Sequence, residues 1–89
     1  MYSMYYIYVL KSLSRNYVYV GITSCIEKRF TQHNLGKNKT TKPYRPFKII
    51  FTEEFESRIK ARKREKYLKS GCGKEYIKVQ MAKLVDALP

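Results

Sequence analysis

Two short apolar runs joined by a mostly polar link open the chain. Tyr5-Tyr6-Ile7-Tyr8-Val9-Leu10 and Tyr17-Val18-Tyr19-Val20-Gly21-Ile22 are aromatic and β-branched, with Lys11 to Asn16 between them. Runs of this kind bounded by turn residues predict a β-hairpin. Side chains alternate across a strand, so Ile7, Val9, Val18, Val20 and Ile22 fall on one face and Tyr6, Tyr8, Tyr17 and Tyr19 on the other. The hairpin thus has an aliphatic face and a phenolic one. Phenols opposite one another are also ordinary cross-strand partners, so the pattern alone does not make them chemistry.

The period then changes. Ser24-Cys25-Ile26-Glu27 has capping-box spacing and predicts a helix start at Ser24. Ile26 and Phe30, one turn apart, form its expected core stripe, and Gly36 after Leu35 can supply a left-handed stop. Arg29 and His33 lie four apart at the edge of that stripe, close to the core yet able to reach past it. Lys37 to Pro46 has no periodicity, two prolines and four cations, and is expected to be an exposed connection able to lie along a phosphate backbone. Phe47 to Thr52 reads as a third strand that runs out into Glu53, Glu54 and Glu56, carboxylates that invite a metal or simply face water.

Ser57 to Ser70 has helical propensity and a dense set of cations. Its one quiet stripe is Ala61, Glu65 and Leu68, at i, i+4 and i+7. A carboxylate among apolar neighbours costs free energy unless it is paired or bound to a metal. An ion pair of Glu65 with Arg62 or Lys69 and a metal site both remain open on these grounds. Gly71-Cys72-Gly73 breaks the helix, and Ile77, Met81, Leu84 and Leu88 outline a last amphipathic stretch. The pattern predicts an α+β domain, a three-stranded antiparallel sheet flanked by helices in β-β-α-β-α-α order. The domain is expected over residues 1–80, with 81–89 a helix end or tail.

Composition narrows the class. Eighty-nine residues leave room for one domain. Nineteen Lys plus Arg against seven Asp plus Glu give a net charge of +12, while 44% hydrophobic residues are too many for a disordered basic tail. The longest apolar run is far short of the roughly 20 residues that span a bilayer, and no secretory signal pattern opens the chain, which leads us to expect a cytoplasmic protein without a membrane partner. Cys25 and Cys72 are too few for a disulfide framework and lack zinc spacing. Fifteen of the nineteen cations fall between Lys28 and Lys74, the footprint of a surface that neutralises backbone phosphates. Nucleic acid is therefore the expected partner, with DNA favoured.

Tyr6-Ile7-Tyr8 and Tyr19-Val20-Gly21 sit on the hairpin, Arg29 follows Gly21 by eight residues, His33 comes one turn later, and Glu65 lies within Arg64-Glu65-Lys66 on the basic helix. This ordered set resembles the GIY-YIG nuclease superfamily, in particular its small stand-alone single-domain bacterial branch. The resemblance implies metal-dependent hydrolysis of DNA phosphodiesters in repair or on branched DNA. It also implies one divalent ion, Mg²⁺ or Mn²⁺, bound together with substrate and held by Glu65, and no small-molecule cofactor. Arg29 would grip the scissile phosphate with a planar, permanently charged guanidinium fork that lysine cannot reproduce. Tyr8 is the favoured general base by family analogy, with Tyr19 and His33 holding water or phosphate and His33 the alternative base. A phenol titrating near 10 needs roughly 4 kcal/mol of differential stabilisation from neighbouring positive charge to ionise at neutrality.

Contacts to nucleic acid are expected from Tyr6, Lys37, Lys39, Lys42, Arg45, Arg62, Lys66 and Lys69. Three positions depart from the family pattern: Tyr6 replaces the first tripeptide's glycine, Ile22 stands where some relatives carry lysine, and Gln80 is the candidate for the polar residue of the last helix. A chain this short has no separate recognition domain, so sequence-specific cutting would need a protein partner or a dimer. The rival readings are a non-catalytic nucleic-acid-binding module that keeps the fold, and an accessory protein of a ribosome or nucleoid.

Overall fold

The computed structural model describes residues 4–86. Strands β1 (Tyr5–Ser12) and β2 (Val18–Thr23) form the hairpin, α1 (Ile26–Asn34) follows, and a single 3₁₀ turn at Lys42–Tyr44 leads into β3 (Phe47–Phe55). Two further helices, α2 (Arg58–Lys69) and α3 (Gly71–Asp86), complete the β-β-α-β-α-α order expected from the pattern. The sheet order is β2-β1-β3 with both pairs antiparallel, so the first strand lies in the centre. No helix among the described residues is long and apolar enough to cross a membrane.

The two faces of the hairpin separate as the alternation requires. Ile7, Val9, Val20, Ile50, Ala61, Leu68 and Ile77 form one buried cluster, supported by Val18, Ile22, Phe51, Phe55, Tyr76 and Met81. Helices α2 and α3 cover this side. Tyr8, Leu10 and Phe47 are buried on the opposite side, against Tyr17, Tyr19, Phe30 and Tyr44. A register shift between Val9 and Leu10, where β3 carries one extra residue, puts Ile50 into the aliphatic cluster.

Several local expectations are corrected. The N-cap of α1 is Cys25, with no side-chain cap bond, so Ser24 does not build a capping box. Thr23 organises the entry instead, its hydroxyl accepting from the Cys25 N–H and donating to the Cys25 carbonyl. The core residues of α1 are Phe30 and His33, with Ile26 only half-buried, because the helix lies over the aromatic face and the ring-bearing positions point inward. At its other end Gly36 has φ +77°, donates to the His33 carbonyl, and is followed by a Lys37 N–H bonded to the Gln32 carbonyl, which is a Schellman stop.

Strand β3 runs three residues further than expected, to Phe55, and so absorbs Glu53 and Glu54. Glu53 accepts a two-pronged ion pair from Arg64 at 2.8 and 3.1 Å. The Arg64 guanidinium also lies over the rings of Tyr67 and Tyr76, 5.0 and 4.9 Å from their centroids, and so ties β3, α2 and α3 together. Glu53 is therefore a structural clamp, while Glu54 and Glu56 face water. Ser57 caps α2 by accepting from the Ile59 and Lys60 N–H groups. The break at Ser70 is a bend between two helices, and α3 starts at once at Gly71; Gly73 is buried, and a side chain there would collide with the backbone of Tyr67 and Leu68. Met81 packs on the core, so residues 81–86 continue the last helix, while Leu88 lies outside the described residues.

The Lys37–Pro46 connection is only partly the exposed strap anticipated. Its lysines face water, but Thr41 is fully buried and Tyr44 stacks on Tyr17 with centroids 3.8 Å apart. Ser12 donates to the Tyr44 carbonyl, Arg45 to the Leu35 carbonyl, and the Asn34 side-chain oxygen accepts from the Phe47 N–H. These ties hold both ends of the connection against the aromatic face.

Candidate active site

Four elements bring side chains to one recess of about 420 Å³. Tyr19, Gly21, Ile22 and Thr23 come from β2, Arg29 from α1, and Arg58, Arg62 and Glu65 from α2, with Tyr5 and Ser24 at the margin. Arg58, Arg62 and Glu65 share a face because they stand at i, i+4 and i+7 of one helix. Arg58 went unassigned in the sequence, although that same spacing marks it.

Tyr8 lies behind the recess at Gly21, its partner across the β1–β2 ladder. A Cβ on Gly21 would sit 2.5 Å from the Tyr8 hydroxyl and 2.9 Å from the Tyr19 ring. The glycine is therefore required by close approach: its missing side chain leaves room for the Tyr8 phenol, which itself lines neither recess. Tyr8, Tyr19 and His33 form a compact group of rings, with centroid separations of 6.0, 5.7 and 4.8 Å. The Tyr8 hydroxyl meets His33 Nε2 at 3.0 Å, and His33 Nδ1 meets the Thr41 hydroxyl at 2.8 Å. Tyr8 and His33 are each 1% exposed and Thr41 is 0% exposed, so this polar chain runs through the interior.

Burial governs how these groups titrate. It raises the Tyr8 phenol well above its ordinary value of 10, Tyr19 adds to the rise, and Arg29 opposes it without prevailing. The protein's own charges thus do not produce the ionised phenol that a tyrosine base acting alone would need. His33 is pushed below its ordinary 6.5, first by burial and then by the positive charge of Arg29. At neutral pH the imidazole is uncharged and keeps a lone pair.

Arg29 is exposed and lines a second, smaller recess of about 100 Å³ with Gln32, His33, Lys37 and Asn38. It lines both recesses. Glu65 faces the larger one while its Oε2 accepts from Lys69 at 3.2 Å, so the ion pair anticipated for Glu65 exists alongside its place in the recess. Of the residues expected at nucleic acid, Arg62 joins this recess and Lys37 the smaller one; Lys39, Lys42 and Lys66 are exposed nearby in sequence but line neither. Arg45 is engaged at the C-terminus of α1 and Lys69 with Glu65. Tyr6 is half-buried and, like Gln80, lines neither recess.

The donor set suits a hard divalent ion only in company with phosphate. Among the described residues, Glu65 is the one carboxylate of the recess, and no group of three or more His, Cys, Asp or Glu side chains gathers anywhere. Three guanidiniums beside one carboxylate leave the recess positive, so it would admit a cation together with substrate oxygens, as Mg²⁺ sites with one carboxylate do. Of the Glu53 group, Glu53 is held by Arg64, and neither it nor Glu54 nor Glu56 lines the recess.

The model of the GIY-YIG catalytic domain matches residues 4–77. The chain is similar to a UPF0213 protein of Staphylococcus haemolyticus, 34% identical over 76 residues that cover 84% of this chain and 92% of that protein. It is 36% identical over 64 residues to one of Vibrio parahaemolyticus, covering 71% of this chain and 59% of the relative. To one of Clostridium perfringens it is 39% identical over 67 residues, 74% of this chain and 71% of that one. No solved structure matches it.

Proposed function

Because the chain belongs to the GIY-YIG nuclease family, we propose that it is a divalent-metal-dependent endonuclease or nickase that hydrolyses DNA phosphodiesters, acting in repair or on branched DNA. One observation carries this reading: Tyr19, Arg29 and Glu65, from three separate elements, line a single recess, and the Tyr8 hydroxyl packs against Gly21, another of its lining residues.

Arg29 takes the scissile phosphate, with Arg58 and Arg62 on the flanking phosphates, where permanently charged planar donors suit phosphoryl oxygens. The attacking water gives its proton to the Tyr8 oxygen as the Tyr8 proton passes to His33 Nε2, 3.0 Å away. Tyr8 is neutral before and after, so no free phenolate is required and its raised pKa is no obstacle. His33 is the proton store and Tyr8 the conduit, which joins the two candidate bases into one unit. The water oxygen bonds to phosphorus, the P–O bond to the leaving strand breaks, and the leaving oxygen takes a proton from solvent. Tyr19 hydrogen-bonds a non-bridging oxygen from the recess wall. A Mg²⁺ or Mn²⁺ ion held by Glu65 and substrate oxygens would supply charge relief at the phosphoryl group when bound.

Purified protein assayed with Mg²⁺ or Mn²⁺ on linear, flapped and junction DNA, and on RNA, tests the proposal. Arg29→Ala and Glu65→Gln are expected to lower cleavage by about 10²- to 10³-fold while most salt-sensitive affinity survives. The contact of Lys69 with Glu65 favours the non-catalytic module as second reading, since it already neutralises the carboxylate. If the wild type cuts none of these substrates yet binds them, that reading replaces the first.

A further inference from the structure

We propose that Thr41 is a positioning residue: its hydroxyl oxygen accepts the Nδ1 proton of His33 and so keeps Nε2 bare to receive the proton of Tyr8. The inference rests on the nuclease reading for its purpose, but its physical content concerns the free protein.

A neutral imidazole carries one N–H, and the hydrogen bonds of its two nitrogens decide which nitrogen has it. His33 has one bond at each: Nε2 to the Tyr8 hydroxyl at 3.0 Å and Nδ1 to the Thr41 hydroxyl at 2.8 Å. Both partners are hydroxyls and either could donate, so the choice falls to their acidity. A phenol is a far stronger acid than an aliphatic alcohol, hence the better donor and the poorer acceptor, and the positive charge of Arg29 beside it pushes the same way. The Tyr8 O–H therefore donates to Nε2, and Nδ1 carries the proton and donates to the Thr41 oxygen. The other titratable or charged groups around His33 are Tyr19 of β2, with ring centroids 4.8 Å apart, and Lys37, which lines the small recess beside it.

Thr41 is held for this purpose by features that do not involve His33. The Tyr44 N–H donates to its carbonyl, the Lys42 N–H to the Asn38 carbonyl, and the Thr40 N–H to the Asn38 side chain. Beyond the turn, Ser12 and the Tyr17–Tyr44 stack anchor the segment to the hairpin. The hydroxyl is thus delivered to the imidazole by a prefolded connection. Lysines on its outer side face the solvent from which nucleic acid arrives.

The chain's single histidine makes the test direct. Ring ¹⁵N chemical shifts of the free protein at pH 7.5 are expected to report the Nδ1–H form. Thr41→Val, which matches threonine in shape but cannot accept, is expected to shift the ring toward Nε2–H and lower kcat by about 10- to 100-fold, with KM little changed. Thr41→Ser should restore both the tautomer and most of the rate. Tyr8→Phe should retain Nδ1–H, because the bond to the better acceptor, the Thr41 oxygen, survives it. An Nε2–H wild type, a tautomer unmoved by Thr41→Val, or one reversed by Tyr8→Phe overturns the proposal even if the protein cuts DNA. If Thr41→Val does not fold, the wild-type, Ser and Phe spectra still decide. Absence of cleavage with an Nδ1–H ring overturns the nuclease reading and leaves the positioning role standing.

Discussion

The two faces of the central sheet are stabilised by different physics. Under α2 and α3 the buried residues are aliphatic, from Ile7 and Val9 to Leu68 and Ile77, and what counts there is area removed from water and the fit of one side chain to the next. Under α1 and the 41–47 segment the buried set includes Tyr8, His33 and Thr41, each with a polar atom that must find a partner. Among the described residues no buried side-chain polar atom lacks one. The first face tolerates exchange among residues of similar volume, whereas the second depends on direction, because a hydroxyl moved by an ångström leaves its neighbour unpaired. A single strand, β1, serves both faces by alternation, so the stable half of the domain holds the reactive half in place.

That contrast can be broken most severely on the aliphatic side. Leu68→Ala removes a fully buried side chain beneath α2 and is expected to cost about 2–5 kcal/mol, measured by urea denaturation. A loss below about 1 kcal/mol would show that this face collapses onto the cavity and is less tightly packed than its burial implies. Gly21→Ala tests the join between the faces. The added methyl meets the Tyr8 phenol and the Tyr19 ring, so stability should fall by about 1–3 kcal/mol and the His33 ring resonances should move. A silent Gly21→Ala would mean that the phenol is free to shift and that its approach to the recess is loosely held.

The smallest effect sharpens the comparison. His33 titrates below its ordinary 6.5 in the folded chain, so on acidification the unfolded chain takes up the proton first. Unfolding then binds a proton, and the stability contributed by keeping the ring neutral is intact above 6.5 and lost as pH falls through the folded value. Wild type should therefore lose more stability than His33→Gln between pH 7.5 and 5, read as the change in denaturation midpoint. Equal losses in the two proteins would place the ring in water rather than in the interior. Under the proposed mechanism, which uses the neutral ring, cleavage should likewise persist somewhat below pH 6.5 before it declines.

How much of this was legible beforehand varies by element. The hairpin, its two faces, the three strands and the ends of α2 follow from period-two and period-3.6 patterns that local sequence carries, and Gly36 marks the stop of α1 by its left-handed backbone. The capping box at Ser24 does not form, since Cys25 is the N-cap and Thr23 bonds the Cys25 backbone instead. Glu53 looked like a free carboxylate since its partner Arg64 is eleven residues away on another element. Tyr19, Arg29, His33 and Glu65 were named from an ordered resemblance, whereas Arg58 was passed over although its spacing to Glu65 was available.

What the chain alone determined is the identity of the elements and the sign of the surface: alternation, helical stripes and an excess of cations are properties of neighbours in sequence. The folded arrangement decided the rest. Only packing could bury the Tyr8 phenol and drive its titration upward, bring Thr41 to the imidazole from a connection without any periodic signal, and turn Glu53 from a ligand candidate into a clamp. Protonation and hydrogen-bond direction depend on distance and dielectric between groups far apart along the chain, and those quantities do not exist until the chain has folded.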